Sequence, residues 1–73
     1  MPQKNLKLHS WIHSKFITET ECAKALAEKF PEHRWSKSKL NKYTNGKKPG
    51  VFEINDLSIV LDKSVEEIVK IFL

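Results

Sequence analysis

A chain of 73 residues bounds the protein to one domain with a small core, and 40% apolar with 30% charged residues is the balance of a globular domain rather than a disordered tail. Its single cysteine excludes an internal disulfide framework and offers no zinc pattern, and no apolar run approaches the ~18 residues of a membrane span. The net charge of +4 is laid down unevenly: residues 33–50 hold six bases and no acid (+6), residues 1–32 five bases against four acids (+1), and residues 51–73 two bases against five acids (−3).

In chain order the pattern is helical, and strand alternation appears nowhere over a useful length. The opening Met1-Pro-Gln-Lys-Asn5 leads into mixed polar residues and not a signal-peptide core, which predicts a cytoplasmic protein. A first helix is expected from about Asn5 to Lys15, with Leu8, Ile12 and Phe16 at i, i+4, i+8 and Trp11 beside them. A second begins at Thr18, because Thr18-Glu19-Thr20-Glu21 is a capping box. Cys22, Ala23, Leu26 and Phe30 line one of its faces, and Pro31 ends it. Ser36 caps a third helix that runs to about Thr44, where Asn45-Gly46 suits a left-handed stop. After the loop Lys47-Lys48-Pro49-Gly50, a fourth helix from about Phe52 to Leu61 sets Ile54, Leu57, Val60 and Leu61 on one side. Asp62-Lys63 connects to a second capping box, Ser64-Val65-Glu66-Glu67, and a fifth helix presents Val65, Ile68, Val69 and Phe72. There is no repeat or long linker, so residues 1–73 read as one all-α domain of five helices.

Helices this short are marginal alone, so they must share a core. Its expected members are Leu8, Ile12, Phe16, Ala23, Leu26, Trp35, Leu40, Tyr43, Ile54, Leu57, Leu61, Val65 and Ile68. With Leu40 and Tyr43 inward, Lys37, Ser38, Asn41 and Lys42 are left pointing outward on the third helix. A basic block on a patterned helix and its exit turn is the electrostatic footprint of a nucleic-acid interface, although lysine runs more often are solvated surface with no partner.

Residues 36–49, Ser-Lys-Ser-Lys-Leu-Asn-Lys-Tyr-Thr-Asn-Gly-Lys-Lys-Pro, resemble the recognition helix and exit turn of the lambda-repressor-like helix-turn-helix proteins, the Cro/cI or xenobiotic-response-element family. Residues 54–68 are similar to that family's fourth and fifth helices, and before residue 36 the likeness is weak. The resemblance implies a sequence-specific DNA-binding regulator. It implies base contacts in the major groove from Lys37, Ser38 and Asn41, with Lys42 nearby: lysine donates to guanine O6 and N7, and asparagine pairs with adenine N6 and N7. It further implies backbone contacts from Thr18, Ser36, Lys39, Asn45, Gly46, Lys47 and Lys48. The family commonly dimerises on a two-fold site, and the apolar end Val69, Ile71, Phe72 and Leu73 offers a surface for a homodimer.

Three features depart from the family. Thr18 and Ser36 are 18 positions apart (36 − 18), where the family has about eleven between these caps, so the second helix is extended or the turn is longer. Trp35 stands where a small apolar residue usually closes the turn. Glu19 stands where a phosphate-contacting glutamine is common, and a carboxylate there repels DNA unless it points away.

Other constellations read more plainly. His9 and His13, at i, i+4, supply two metal ligands with nothing arranged to complete a set, so no metal or other cofactor is expected. Cys22 reads as a small core residue. Trp11 and Trp35 read as core, though Trp35 borders the basic helix and can also stack on a base. No acid–base pair or phosphate-binding loop suggests an enzyme. The rival to DNA binding is an antitoxin or adaptor that uses the same fold for protein contacts, which the long second helix and Glu19 favour and the +6 block opposes.

Overall fold

Four of the five helices start where a short polar side chain replaces a missing backbone partner. The computed structural model describes residues 4–73; the first three residues of the opening read above lie outside it. The helices are α1 (Leu6–Lys15), α2 (Glu19–Lys29), α3 (Lys37–Thr44), α4 (Val51–Leu61) and α5 (Val65–Ile71), with a 3₁₀ turn at Pro31–His33. Among the described residues there is no strand. Asn5 Oδ1 accepts from the Leu8 N–H (3.0 Å), Thr18 Oγ1 from Glu21 (3.2 Å), Ser36 Oγ from Lys39 (3.1 Å) and Ser64 Oγ from Glu67 (3.1 Å). α4 starts at Gly50 with no side-chain cap.

The capping boxes close differently from expectation. Glu21 Oε2 accepts from the Ile17 N–H at 3.4 Å, one residue before the cap, and Glu67 Oε1 accepts from the Ser64 hydroxyl at 3.3 Å. The stop after α3 is as expected: Gly46 sits at φ 104°, its N–H donates to Tyr43 O (3.1 Å), and the Lys47 N–H donates to Lys42 O (3.0 Å). α4 ends the same way on a less usual residue, Asp62 at φ 56°, with the Lys63 N–H donating to Ser58 O at 3.0 Å.

α2 packs on α3 and α4, α5 lies along α4, and α1 touches α2, α3 and α4. The shared core comprises Leu8, Ile12, Cys22, Ala23, Leu26, Trp35, Leu40, Tyr43, Leu57, Val60, Leu61, Ile68 and Phe72. Leu40 is fully buried and fixes the rotation of α3; truncating such a side chain costs roughly 2–5 kcal/mol. Three expectations are corrected. Val65 is 45% exposed, because α5 rests on α4 through Ile68 and Phe72 and leaves Val65 at the rim. Phe16 and Ile54 are only partly buried against the core. Phe72, expected at a partner surface, closes the core instead.

Asn5 ties the open ends of three helices. Besides capping α1, its N–H donates to Thr44 O (2.7 Å) at the end of α3, and its Nδ2 donates to Ile71 O (2.8 Å) at the end of α5. No helix among the described residues is long and apolar enough to cross a membrane.

Candidate nucleic-acid interface

The connection from α2 to α3 sets how α3 is presented. The Phe30 N–H donates to Leu26 O (2.8 Å), closing α2, and Pro31–His33 then turn as one 3₁₀ element. Arg34 adopts a left-handed conformation (φ 54°) that redirects the chain. The separation of the two caps therefore comes from both sources: α2 has 11 residues, and an ordered turn follows it.

That turn is pinned from beneath. Trp35 is buried, stands edge-on to Tyr43 with ring centroids 5.9 Å apart, and its Nε1–H donates to Asp56 Oδ2 at 2.7 Å. His33 Nδ1 lies 2.6 Å from the same oxygen; an ionised carboxylate only accepts, so this nitrogen carries the hydrogen. Asp56 is fully buried on α4, and its Oδ1 has no partner. Trp35 is thus a structural residue with its ring in the core. Asp56, which the sequence reading passed over, holds the insert to α4.

On α3 the side chains of Lys37, Ser38, Asn41 and Lys42 are all exposed, as the helical period requires. Ser36 is exposed and engaged as the cap of α3; Thr18 is exposed and caps α2. Asn45, Lys47 and Lys48 are exposed around the Gly46 turn. Lys39 differs. Its Nζ donates to His33 O at 2.7 Å and sits 4.7 Å over the Trp35 ring, so its charge is turned onto the α2–α3 connection.

Between α1 and the starts of α2 and α3 lies a shallow cavity of about 290 Å³, whose lining includes Lys4, His9, Thr18, Glu19, Lys37 and Asn41. Glu19 does not project freely from it. Its side chain is 14% exposed, Oε2 accepts from Asn41 Nδ2 (3.3 Å), and Oε1 is 3.9 Å from His9 Nδ1. Asn41 Oδ1 in turn accepts from Asn45 Nδ2 at 2.7 Å. The His9 and His13 rings lie 4.2 Å apart, and no group of three or more metal-ligating side chains occurs among the described residues.

Cys22 is buried, and its thiol is pushed up to about 12, first by burial and then by the nearby Glu19 charge. It is a neutral thiol at physiological pH, which suits a core residue and not a nucleophile. The Tyr43 hydroxyl is also raised, by burial and then by Glu53. Trp11 is half-buried, with Lys63 Nζ 5.0 Å and Lys7 Nζ 5.9 Å from its ring.

Comparison of the chain with protein-family models, with curated proteins and with solved structures finds no match.

Proposed function

We propose that this chain is a non-catalytic, sequence-specific DNA-binding regulator of the lambda-repressor-like helix-turn-helix type. The observation that carries the reading is the face of α3: four exposed polar side chains, two of them lysines, on a short helix held by buried Leu40 and Tyr43 inside an acid-free block of charge +6. In this reading α3 enters the major groove. Lys37, Ser38, Asn41 and Lys42 meet base edges. Thr18, Ser36, Asn45, Lys47 and Lys48 meet phosphates through their side chains, while the Gly46 backbone leaves the phosphate set, because the amides of Asn45, Gly46 and Lys47 are spent on closing α3. Lys39 leaves the phosphate set, since its ammonium is engaged by His33 O and the Trp35 ring.

A mobility-shift titration over a range of salt concentrations tests the reading. Binding should be specific, and Lys47→Ala and Lys48→Ala should each lower the salt slope by roughly one unit while weakening all sequences alike. Lys37→Ala should weaken the selected site more than random duplex. The reading fails if the wild-type chain shows no salt-dependent affinity for any duplex.

One further surface bears on both readings, since an adaptor or antitoxin would also need an apolar docking face. Val51, Phe52, Val65 and Val69 are all exposed and line an apolar groove of about 430 Å³ between α4 and α5. We assign this face to a second copy of the chain, because one recognition helix reads few base pairs and a two-fold pair reads two half-sites.

A further inference from the structure

We propose that Glu19 is a specificity-setting, positioning residue that fixes the orientation of the Asn41 amide without touching a base itself. The proposal rests on the DNA-binding reading above. An asparagine side chain presents a donor and an acceptor side by side, and a half-turn about its last bond exchanges them. A reader of base edges must settle that choice before binding, or lose discrimination to the alternative.

Here the Glu19 carboxylate settles it, and Asn45 is placed to agree. The Glu19 carboxylate, when ionised, accepts only, and it takes Asn41 Nδ2–H at 3.3 Å. Asn45 donates its Nδ2–H to Asn41 Oδ1 at 2.7 Å. Reversing the amide would set Oδ1 against the ionised carboxylate, a clash that Asn45 cannot relieve although its own amide can turn to follow. The orientation is therefore enforced from α2, with the α3 C-cap in accord. It leaves Asn41 with one free N–H and one free lone pair, the pair that adenine N7 and N6–H₂ complement.

Glu19 is itself held. It is the first residue of α2, fixed behind the Thr18 cap, and its side chain is 14% exposed. Its other oxygen faces His9 Nδ1 on α1 at 3.9 Å, a buried nitrogen with no hydrogen-bond partner. The carboxylate therefore spans α1, α2 and α3 and is directed along the protein side of the cavity. This resolves the conflict of an acid beside a DNA-facing helix: its charge is turned to Asn41 and His9.

The experiment is a binding-site selection with the full chain on randomised duplexes. Competition by duplexes carrying single base-pair changes follows, for wild type, Glu19→Gln, Glu19→Ala, Asn41→Ala and the Glu19→Ala/Asn41→Ala double variant. Wild type should prefer adenine at one position by about tenfold or more, the range of a bidentate contact. Glu19→Ala should cut that preference to about threefold or less, with random-duplex affinity unchanged or higher because an acid has gone. Glu19→Gln keeps an acceptor but can also turn a donor toward Asn41, so it should retain only part of the preference, between wild type and Glu19→Ala. In the Asn41→Ala background, Glu19→Ala should change the base preference no further.

A Glu19→Ala chain that still discriminates as wild type overturns the proposal alone. So does a cytosine preference that survives Asn41→Ala and vanishes in Glu19→Ala, which would make Glu19 a direct reader. Equal losses on all sequences would assign Glu19 to the fold and overturn it too. If wild type selects no sequence, the DNA-binding reading falls, and this proposal falls with it.

Discussion

Asp56 interrupts the apolar arc of α4, and one of its oxygens takes hydrogen bonds from Trp35 and His33 while the other takes none. A buried carboxylate is costly unless partnered, and its donors become costly once it is removed. Asp56→Ala should therefore destabilise the domain by about 3 kcal/mol in urea titration, since it leaves the Trp35 N–H buried with no acceptor. Asp56→Asn retains one carbonyl oxygen where both donors converge and should lose less than half as much. If the alanine variant unfolds at the wild-type urea concentration, the link does not hold the turn. The clue was present in the sequence: Asp56 precedes Val60 by one helical step of four and so shares its buried side. A buried tryptophan N–H also needs an acceptor. Neither clue names the other partner, because 21 residues separate Trp35 from Asp56 and only the fold brings them together.

Helix starts were legible because a cap is a local device: Asn5, Thr18, Ser36 and Ser64 each accept from a residue three further on. The outward face of α3 was legible for a similar reason, since buried Leu40 and Tyr43 fix the rotation that exposes Lys37, Ser38, Asn41 and Lys42. Lys39 was not, because its direction depends on the His33 carbonyl and the Trp35 ring, which only the folded turn supplies. The α3 stop gives a test at this scale. Gly46 holds φ 104°, where a side chain with a Cβ is strained by roughly 1–2 kcal/mol. Gly46→Ala should lower the denaturation midpoint accordingly, and Gly46→Asn should cost less, because asparagine tolerates positive φ better. DNA affinity should fall with the alanine variant beyond what Lys47→Ala alone removes, since the same turn orders Lys47 and Lys48. Equal stability of the alanine variant and wild type would show that the turn relaxes without penalty.

Across the molecule, charge and exposed apolar surface are segregated. The +6 block lies on α3 and its flanking turns, whereas among the described residues six of the eight exposed large apolar ones, Val51, Phe52, Ile59, Val65, Val69 and Leu73, belong to α4, α5 and the chain end. Scattered exposed apolar residues need no explanation, but a contiguous set does. The surface read from sequence (Val69, Ile71, Phe72 and Leu73) cannot act as one face. Phe72 is in the core, and Ile71 is turned about 200° from Val69 around the helix. Val65 and Val69 do share a side, and they face Val51 and Phe52 across the groove, whereas Leu73 lies past the end of α5 and lines a separate cavity with Leu6 and Ile71. In the proposed reading a two-fold pairing through this side would be isologous, and the two α3 helices would have to meet half-sites about one helical turn apart. Phe52→Lys and Val69→Glu should each convert a dimer to a monomer in sedimentation at micromolar concentration. They should also weaken binding to a two-fold site far more than to a single half-site. Ile71→Gln should leave assembly intact. A wild-type chain that sediments as a monomer both alone and with a two-fold duplex, one chain per site, would rule out the pairing and leave the groove to a partner of different kind.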